Sequence, residues 1–395
     1  MAAGVKSAAL PAIKRRVRSG VPVFVVDGPA PARCALMFRV GRSDETLLTG
    51  GVTHLVEHLA LFPLGDRPYA YNGFVEPHRT VFHAAGRPDE CLEFLASVTA
   101  SLSDLPMHRL EHEHRVLAAE TAGHGSGLFD GLVSCRFGPR GLGVLGYPEF
   151  GARSLSAPRV DGWRAAWFTA GNAALVVSGV PVESVRLALP PGERRTPVMP
   201  PAVETDLPAW FRSPGNALGV SMVADRDPAL SAGLRIAEKR LQKRLRTEMA
   251  VVYQVAVSTQ YLDARTLHVV VGCDAVPEHA ADARAALQEE LDRLAVDGPD
   301  PGEVDTDRSA MHRDWEDRNV GYALADLLAT DELLGAERRT PAAIVRAVRS
   351  VTAEQVADAL DRARRTALWG LPGDTPGPST VRAVSGSSPS RIDGR

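Results

Sequence analysis

Sulfur is scarce in this sequence, and long apolar runs are missing from it. Four cysteines, Cys34, Cys91, Cys135 and Cys273, stand far apart with no Cys-x-x-Cys pair. That spacing argues against a disulfide framework or a thiolate metal site and suits isolated reduced thiols, for which the cytoplasm is the expected compartment. No stretch approaches about 18 uninterrupted apolar residues. Met1 to Ile13 are alanine-rich but lack a continuous apolar core after a basic start, so membrane spanning and export are both disfavoured. An excess of charge is lacking too. Lys and Arg number 45 against 48 Asp and Glu, for a formal charge of -3, and no basic stripe is present to draw in a phosphate backbone. Nucleic acid is therefore not an expected partner, and clusters such as Lys14-Arg15-Arg16 read as solvated surface.

What is present is a chain of 395 residues, long enough for two domains with a core each. The segment Pro190-Pro191-Gly192-Glu193-Arg194-Arg195-Thr196-Pro197-Val198-Met199-Pro200-Pro201 can be neither helix nor central strand and reads as a linker. Each flanking half runs through apolar strands, a helix, more strand and then helices, the order expected of a duplicated α+β unit. The expected divisions are a flexible N-terminus (1–13), an N-terminal domain (14–189), a linker (190–206), a C-terminal domain (207–371) and a Pro-, Ser- and Gly-rich disordered tail (372–395). Val21 to Val26 and Cys34 to Val40 read as strands of the first half. In the second half, Ala232 to Ala250 reads as a helix, Val251 to Tyr261 as a strand and Thr266 to Cys273 as its partner.

From Val52 to Phe62 apolar residues are nearly continuous, which predicts a buried helix opened by Gly50-Gly51 and stopped by Pro63. On it His54 and His58 are four residues apart and share a face, where two imidazoles can bind one Zn2+ at about 2.0–2.1 Å each. Glu57 lies beside them. A catalytic zinc needs three protein ligands and an open position, and the attacking water needs a carboxylate to take its proton. His-x-x-Glu-His supplies two ligands and that base. The same pattern recurs at His108-Arg109-Leu110-Glu111-His112, so at least one copy is accidental. The second copy follows Pro106 at the exposed start of a helix with polar residues all round, whereas two His and a Glu inside apolar sequence need a reason.

On the helix expected from about Met107 to Ala122, positions 110, 113, 117 and 120 lie on one face and read Leu110, Glu113, Leu117 and Glu120. Carboxylates at core-facing positions are costly unless paired or bound to a metal. Glu120 is the better candidate for third ligand, with Glu113 two turns earlier as its support; the alternative is that one of them sits at the wet edge of the stripe.

These features, in this order, resemble the pitrilysin and insulinase family of zinc metallopeptidases, above all its two-domain members similar to mitochondrial processing peptidase and their bacterial relatives. The likeness rests on Val40-Gly41-Arg42-Ser43-Asp44-Glu45 before His54-Leu55-Val56-Glu57-His58, and on Glu113-His114-Arg115-Val116-Leu117-Ala118-Ala119-Glu120. It implies two homologous α+β domains, each a mainly antiparallel sheet with helices packed on it, closing as a clamshell. It implies His54, His58 and Glu120 as zinc ligands, Glu57 as catalytic base and Glu113 as a supporting group. Asn72-Gly73-Phe74-Val75 resembles the edge strand onto which the family's substrates add, which makes Asn72 a substrate-binding residue. Arg246 and Tyr253, seven residues apart, match a pair that contacts substrate from the non-catalytic repeat.

The implied activity is that of a metalloendopeptidase, in which metal-activated water cleaves short or unfolded peptides bound by strand addition. A homodimer, or a heterodimer with a related chain, is compatible with it, and the alternative is a non-catalytic peptide-binding subunit. Two departures stand out. The helix usual between the zinc helix and the edge strand is missing, leaving Leu64 to Tyr71 as a loop, and Val252 replaces a glycine.

Overall fold

The computed structural model describes residues 12–121, 127–203, 206–213, 215, 217–315, 317, 319–378 and 381–384. Its strands are β1 (Ile13–Arg18), β2 (Val21–Val26), β3 (Ala32–Phe38), β4 (Ala70–Val75), β5 (Thr80–Gly86), β6 (Ala173–Ser178), β7 (Ala209–Ser213), β8 (Ala217–Asp225), β9 (Val252–Tyr261), β10 (Thr266–Ala275), β11 (Leu368–Pro372) and β12 (Arg382–Ala383). Its helices are α1 (Val52–Leu61), α2 (Pro88–Ser103), α3 (Leu110–Thr121), α4 (Leu128–Phe137), α5 (Ala157–Trp167), α6 (Pro228–Leu241), α7 (Ala280–Val296), α8 (Pro301–Trp315), α9 (Val320–Leu334), α10 (Pro341–Arg349) and α11 (Ala353–Arg364). No helix among the described residues is long and apolar enough to cross a membrane.

The expected α+β class is the one observed. Six strands form a sheet in the order β1-β2-β6-β3-β5-β4, and six more form a second in the order β12-β7-β11-β8-β10-β9. Strand for strand the orders correspond. Both sheets are mixed, with β2–β6 and β7–β11 parallel and the inner pairs β3–β6, β3–β5, β8–β11 and β8–β10 antiparallel. The duplication expected from the sequence pattern is thus present in the topology.

Strands in the middle of the first sheet are buried on both faces, so alternate residues serve different cores. In β3, Cys34, Leu36 and Phe38 face the core shared with α1, α2 and α3, while Ala35 and Met37 face Leu324, Leu328, Ala329 and Leu333 of α9. In the second sheet one face carries the core formed with α6, α7 and α11, and the other packs on α4. Leu128 of α4 lies against Gly219, Gly272 and Gly370, on three neighbouring strands, where an added Cβ would come within 2.7–2.9 Å of it. Side chains there would push the helix off the sheet.

The compact units are therefore not the continuous spans expected from the sequence. One comprises the described residues up to 121 with 148–198 and 309–347, the other 127–147, 199–308 and the described residues from 348 on. Residues 127–147 precede the proline-rich segment yet join the second unit, because α4 packs its apolar face on the second sheet. Nor is the proline-rich segment a bare tether. Arg194 donates to the carbonyls of Gly171, Ala173 and Glu332, and Arg39 donates to the carbonyl of Arg195, all in the first unit.

Two termini were expected to lack structure. Residues 1–11, 379–380 and 385–395 lie outside the described residues, but β1 begins at Ile13, and the start of the tail is ordered. Arg212 donates to the carbonyl of Thr375, and β12 pairs in parallel with β7. Other boundaries move by a few residues. The expected helix over 232–250 runs as α6 from Pro228 and continues as a π-helical stretch over Gln242–Glu248, and Ala122 lies outside the described residues.

Candidate metal centre

The helix α1 is held at its start by a buried carboxylate. Gly51 sits at φ +93°, open to glycine without strain, and Glu45 accepts hydrogen bonds from the backbone N–H groups of Gly51 and Thr53 at 2.8 Å each. Burial pushes the Glu45 carboxyl up to about 7, against those hydrogen bonds, which lower it. Adjacent Asp44 accepts from the Arg39 guanidinium and the Gly41 N–H. The run from Gly41 to Glu45 thus fixes where α1 begins. Val52, Leu55, Val56, Leu59 and Ala60 bury the apolar face of α1 in the first core.

His54, Glu57 and His58 project from the same helix, and their ligand atoms lie within 4.8 Å of one another, forming a group that could hold a metal ion. Nε2 of His54 and Nε2 of His58 each stand 3.6 Å from Oε2 of Glu120 on α3. Ligands sharing a tetrahedral ion at ordinary zinc distances would be about 3.4 Å apart, so Glu120 Oε2 stands at nearly that spacing from each imidazole nitrogen. Glu120 is not core-facing as expected. Its side chain is 46% exposed, whereas Glu113, one face-repeat earlier, is buried. The apolar stripe of α3 ends at Leu117, and Glu120 lies at its wet edge.

Each imidazole has a carboxylate behind it. Oε2 of Glu113 is 3.2 Å from His58 Nδ1, and Oε2 of Glu149 is 3.3 Å from His54 Nδ1. Both carboxylates are nearly buried and each has a guanidinium nearby, Arg109 beside Glu113 at 3.6 Å and Arg42 beside Glu149 at 3.2 Å. Four carboxylates, 57, 113, 120 and 149, face two guanidiniums, which leaves a formal excess of two negative charges around two imidazoles. A divalent cation would balance it.

The protonation pattern follows from these neighbours. Burial would lower the His54 pKa, but the hydrogen bond and charge of Glu149, with the charges of Glu57 and Glu120, raise it overall. Burial raises the Glu57 carboxyl above its ordinary range, partly offset by His58 and His54. Burial would also raise Glu149, yet its bond to His54 and the charges of His54 and Arg42 bring it below.

The edge strand completes this side of the site. Among the described residues β4 pairs only with β5, with Asn72 opposite His83 and Gly73 opposite Phe82, so its other edge is open. Asn72 is exposed on it, and a Cβ at Gly73 would collide with Oε1 of Glu57. Only a glycine lets the Glu57 carboxylate reach the strand. Between α1 and β4 the chain makes one short 3-10 turn (Phe62–Leu64) and a loop, the shortening expected from the sequence.

The second His-x-x-Glu-His copy lies elsewhere. His108, Glu111 and His112 are exposed, and Glu111 pairs with Arg115. Arg246 and Tyr253 belong to the second unit and lie together, the guanidinium 5.3 Å above the phenol ring. Tyr253, on edge strand β9, is 79% exposed. Val252 occupies the second core rather than a turn that needs glycine. Three groups have roles that the sequence does not reveal: Glu45 and Gly73, which stand inside the quoted motifs without a role, and Glu149, which stands outside them. The only signal for Glu149 is an acid set between Pro148 and Phe150 in an otherwise uncharged run, which carries no spacing relation to α1.

The architecture has close parallels among solved structures. A peptidase M16 inactive domain from Pseudomonas fluorescens superposes with a TM-score of 0.75 at 14% identity, covering 94% of this chain and 99% of that one. A protease from Helicobacter pylori gives a TM-score of 0.75 at 13% identity, covering 92% and 100%. The fold is that of M16 peptidase structures. The first half of the periplasmic protease PqqL from Escherichia coli is similar as well, with a TM-score of 0.68 at 15% identity, covering 92% and 93%. In sequence, residues 225–311 match the peptidase M16 inactive domain. That span runs from the end of β8 into α8 and includes no member of the metal cluster. A search of curated proteins gives no match.

Proposed function

We propose that this chain is a zinc-dependent endopeptidase acting on short or unfolded peptides. The observation that carries the reading is the placement of Glu120 Oε2 at 3.6 Å from both His54 Nε2 and His58 Nε2, with Glu57 buried beside them under an open strand edge. Two imidazoles and a carboxylate, with a charge excess of two, fit Zn2+ as a three-ligand site. His54, His58 and Glu120 would hold the ion. Bound there, it supplies Lewis acidity, making water acidic enough to lose a proton near neutral pH and polarising a carbonyl.

The protein groups do the rest. Glu57, its pKa raised by burial, takes the proton from the attacking water and passes it to the leaving amine. A peptide added to β4 is held in extended form by main-chain hydrogen bonds past Asn72 and Gly73, which makes recognition largely independent of side chains. By the family resemblance, Arg246 and Tyr253 are further candidates for contacting substrate, since an Arg and a phenol can stabilise a carbonyl as charge develops on it. Arg246→Ala lowers turnover without releasing zinc, and unchanged kinetics would remove that role. The reading is compatible with a homodimer or a pairing with a related chain, and with a reducing compartment, since none of the four cysteines forms a disulfide.

A second reading, a non-catalytic peptide-binding chain, draws on the match of 225–311 to a domain described as inactive. One experiment separates the two. Zinc content and cleavage of a panel of internally quenched peptides are measured for the wild type, Glu57→Gln and Glu111→Gln. Glu57→Gln keeps its zinc and loses turnover by at least about 100-fold, while Glu111→Gln matches the wild type. Normal cleavage by Glu57→Gln, or none by a zinc-loaded wild type, rejects the endopeptidase.

A further inference from the structure

His54 and His58 are both backed by carboxylates, but the two backings come from different places. Glu113 reaches His58 from the helix that also carries Glu120. Glu149 reaches His54 from a separate segment that packs on the first turn of α1. We propose that Glu149 is the positioning residue of His54, holding its proton on Nδ1 and its Nε2 toward the metal; this rests on the zinc reading above.

The geometry supports a purpose-built contact. Glu149 is side-chain buried and divides its oxygens, Oε2 standing 3.3 Å from His54 Nδ1 and Oε1 standing 3.2 Å from Arg42 Nε. By contrast, Arg235 turns two donors to the two oxygens of Asp307, at 2.9 and 2.8 Å. An ionised carboxylate only accepts, so the imidazole must donate from Nδ1 and leave the Nε2 lone pair free. Such outer partners set ring orientation and ligand basicity.

The segment carrying Glu149 is itself locked. A Cβ at Gly51 would come within 2.7 Å of Ala152 Cβ and 3.2 Å of Glu149 Cβ, and a Cβ at Gly151 within 2.7 Å of the Leu48 carbonyl oxygen. Glycines on both sides let the segment lie directly on the start of α1. The carboxylate is therefore held by backbone packing and does not depend on the metal for its place.

The test uses the full chain, metal-free and zinc-loaded, as wild type, Glu149→Ala, Glu149→Leu and Glu149→Gln. Zinc affinity is read by competition with a chromogenic chelator, and the His54 tautomer by imidazole 15N NMR at a pH well above its titration, with circular dichroism as the check on folding. Glu149→Ala is expected to weaken zinc binding about 10–100-fold and to shift the metal-free His54 ring toward the Nε2–H form. Glu149→Leu, which fills the space without an acceptor, carries the same expectations should the alanine variant not fold. Glu149→Gln, whose amide oxygen can accept from Nδ1, restores the tautomer and most of the affinity. Wild-type tautomer and affinity in the Ala or Leu variant overturn the assignment. A wild type that binds no zinc, with the tautomer still shifted in the variants, leaves the contact standing and sinks the zinc reading instead.

Discussion

The helices α1 and α6 hold the same place in two sheets of one topology, each lying between the third-listed inner strand of its repeat and the edge strand, yet their charges are settled in opposite ways. On α6 and just after it, Arg235 pairs with Asp307, Arg240 with Glu290 and Glu303, and Arg244 with Glu289. Every one of those carboxylates meets a cation. On α1 the corresponding surface carries two imidazoles and Glu57, and the carboxylates around them outnumber the guanidiniums by two. The backbone is shared; the chemistry depends on whether the charges on this helix are balanced within the protein or left for an ion to balance.

The sharpest way to break that contrast is to remove the ligand that comes from α3. Glu120→Gln reduces the charge excess by one and takes away the oxygen that stands 3.6 Å from both imidazoles. Zinc occupancy should fall by more than about 100-fold, beyond the loss from removing a supporting partner. Because Glu120 is exposed, stability should hardly change. Full retention of zinc in dialysed protein would move the third ligand to Glu113 or a nearby His and overturn the reading of the Glu120 distances.

A smaller effect is expected at Gly73, where the edge strand meets the base. Gly73→Ala places a methyl against Glu57 Oε1 and forces the carboxylate aside. Displacement of a reacting group by about 1 Å can lower turnover about 100-fold, and a value between tenfold and 100-fold is expected with zinc retained. The counterpart edge strand offers the control, since Ala256 on β9 already carries a Cβ in an exposed position. Unchanged turnover in Gly73→Ala would show that Glu57 does not act from beneath this strand.

How far such positions can be read from sequence differs between local and distant relations. β2 spans Val21–Val26 as expected, and α1 covers the expected helix to within a residue, because glycine, proline and apolar content mark them locally. The strand expected over 34–40 lies instead at Ala32–Phe38, for a strand buried on both faces has no polar alternation to date its ends. Which sheet α4 and α9 would cover was not legible, since an apolar helix face does not name its partner. Glu120 stands next to both imidazoles, but burial, the reason first given for choosing it, holds for Glu113 and not for Glu120. Glu149 was beyond reach, because a contact across nearly a hundred residues leaves no periodic trace.

The mildest change tests the other half of the comparison, that charges around α6 serve stability. Arg240 donates from Nε to Glu303 at 2.8 Å and from Nη1 to Glu290 at 2.9 Å. Hydrogen bonding to Arg240 holds the Glu303 carboxyl below its ordinary range. Arg240→Met keeps the aliphatic stem but leaves Glu290 buried with weaker compensation from Arg244 and Arg293. Breaking a fully buried pair costs about 3–5 kcal/mol; Arg240 and Glu303 remain partly open to water, so a loss of about 1–2 kcal/mol is expected in urea unfolding. A carboxyl whose pKa is lowered on folding contributes stability above its unfolded value and loses it as pH falls through the folded one. The gap between wild type and Arg240→Met should therefore be full near neutral pH and shrink below the ordinary carboxylate range, with zinc affinity unchanged throughout. A variant as stable as the wild type, or one that loses zinc, would mean that the two repeats do not divide stability from chemistry in this way.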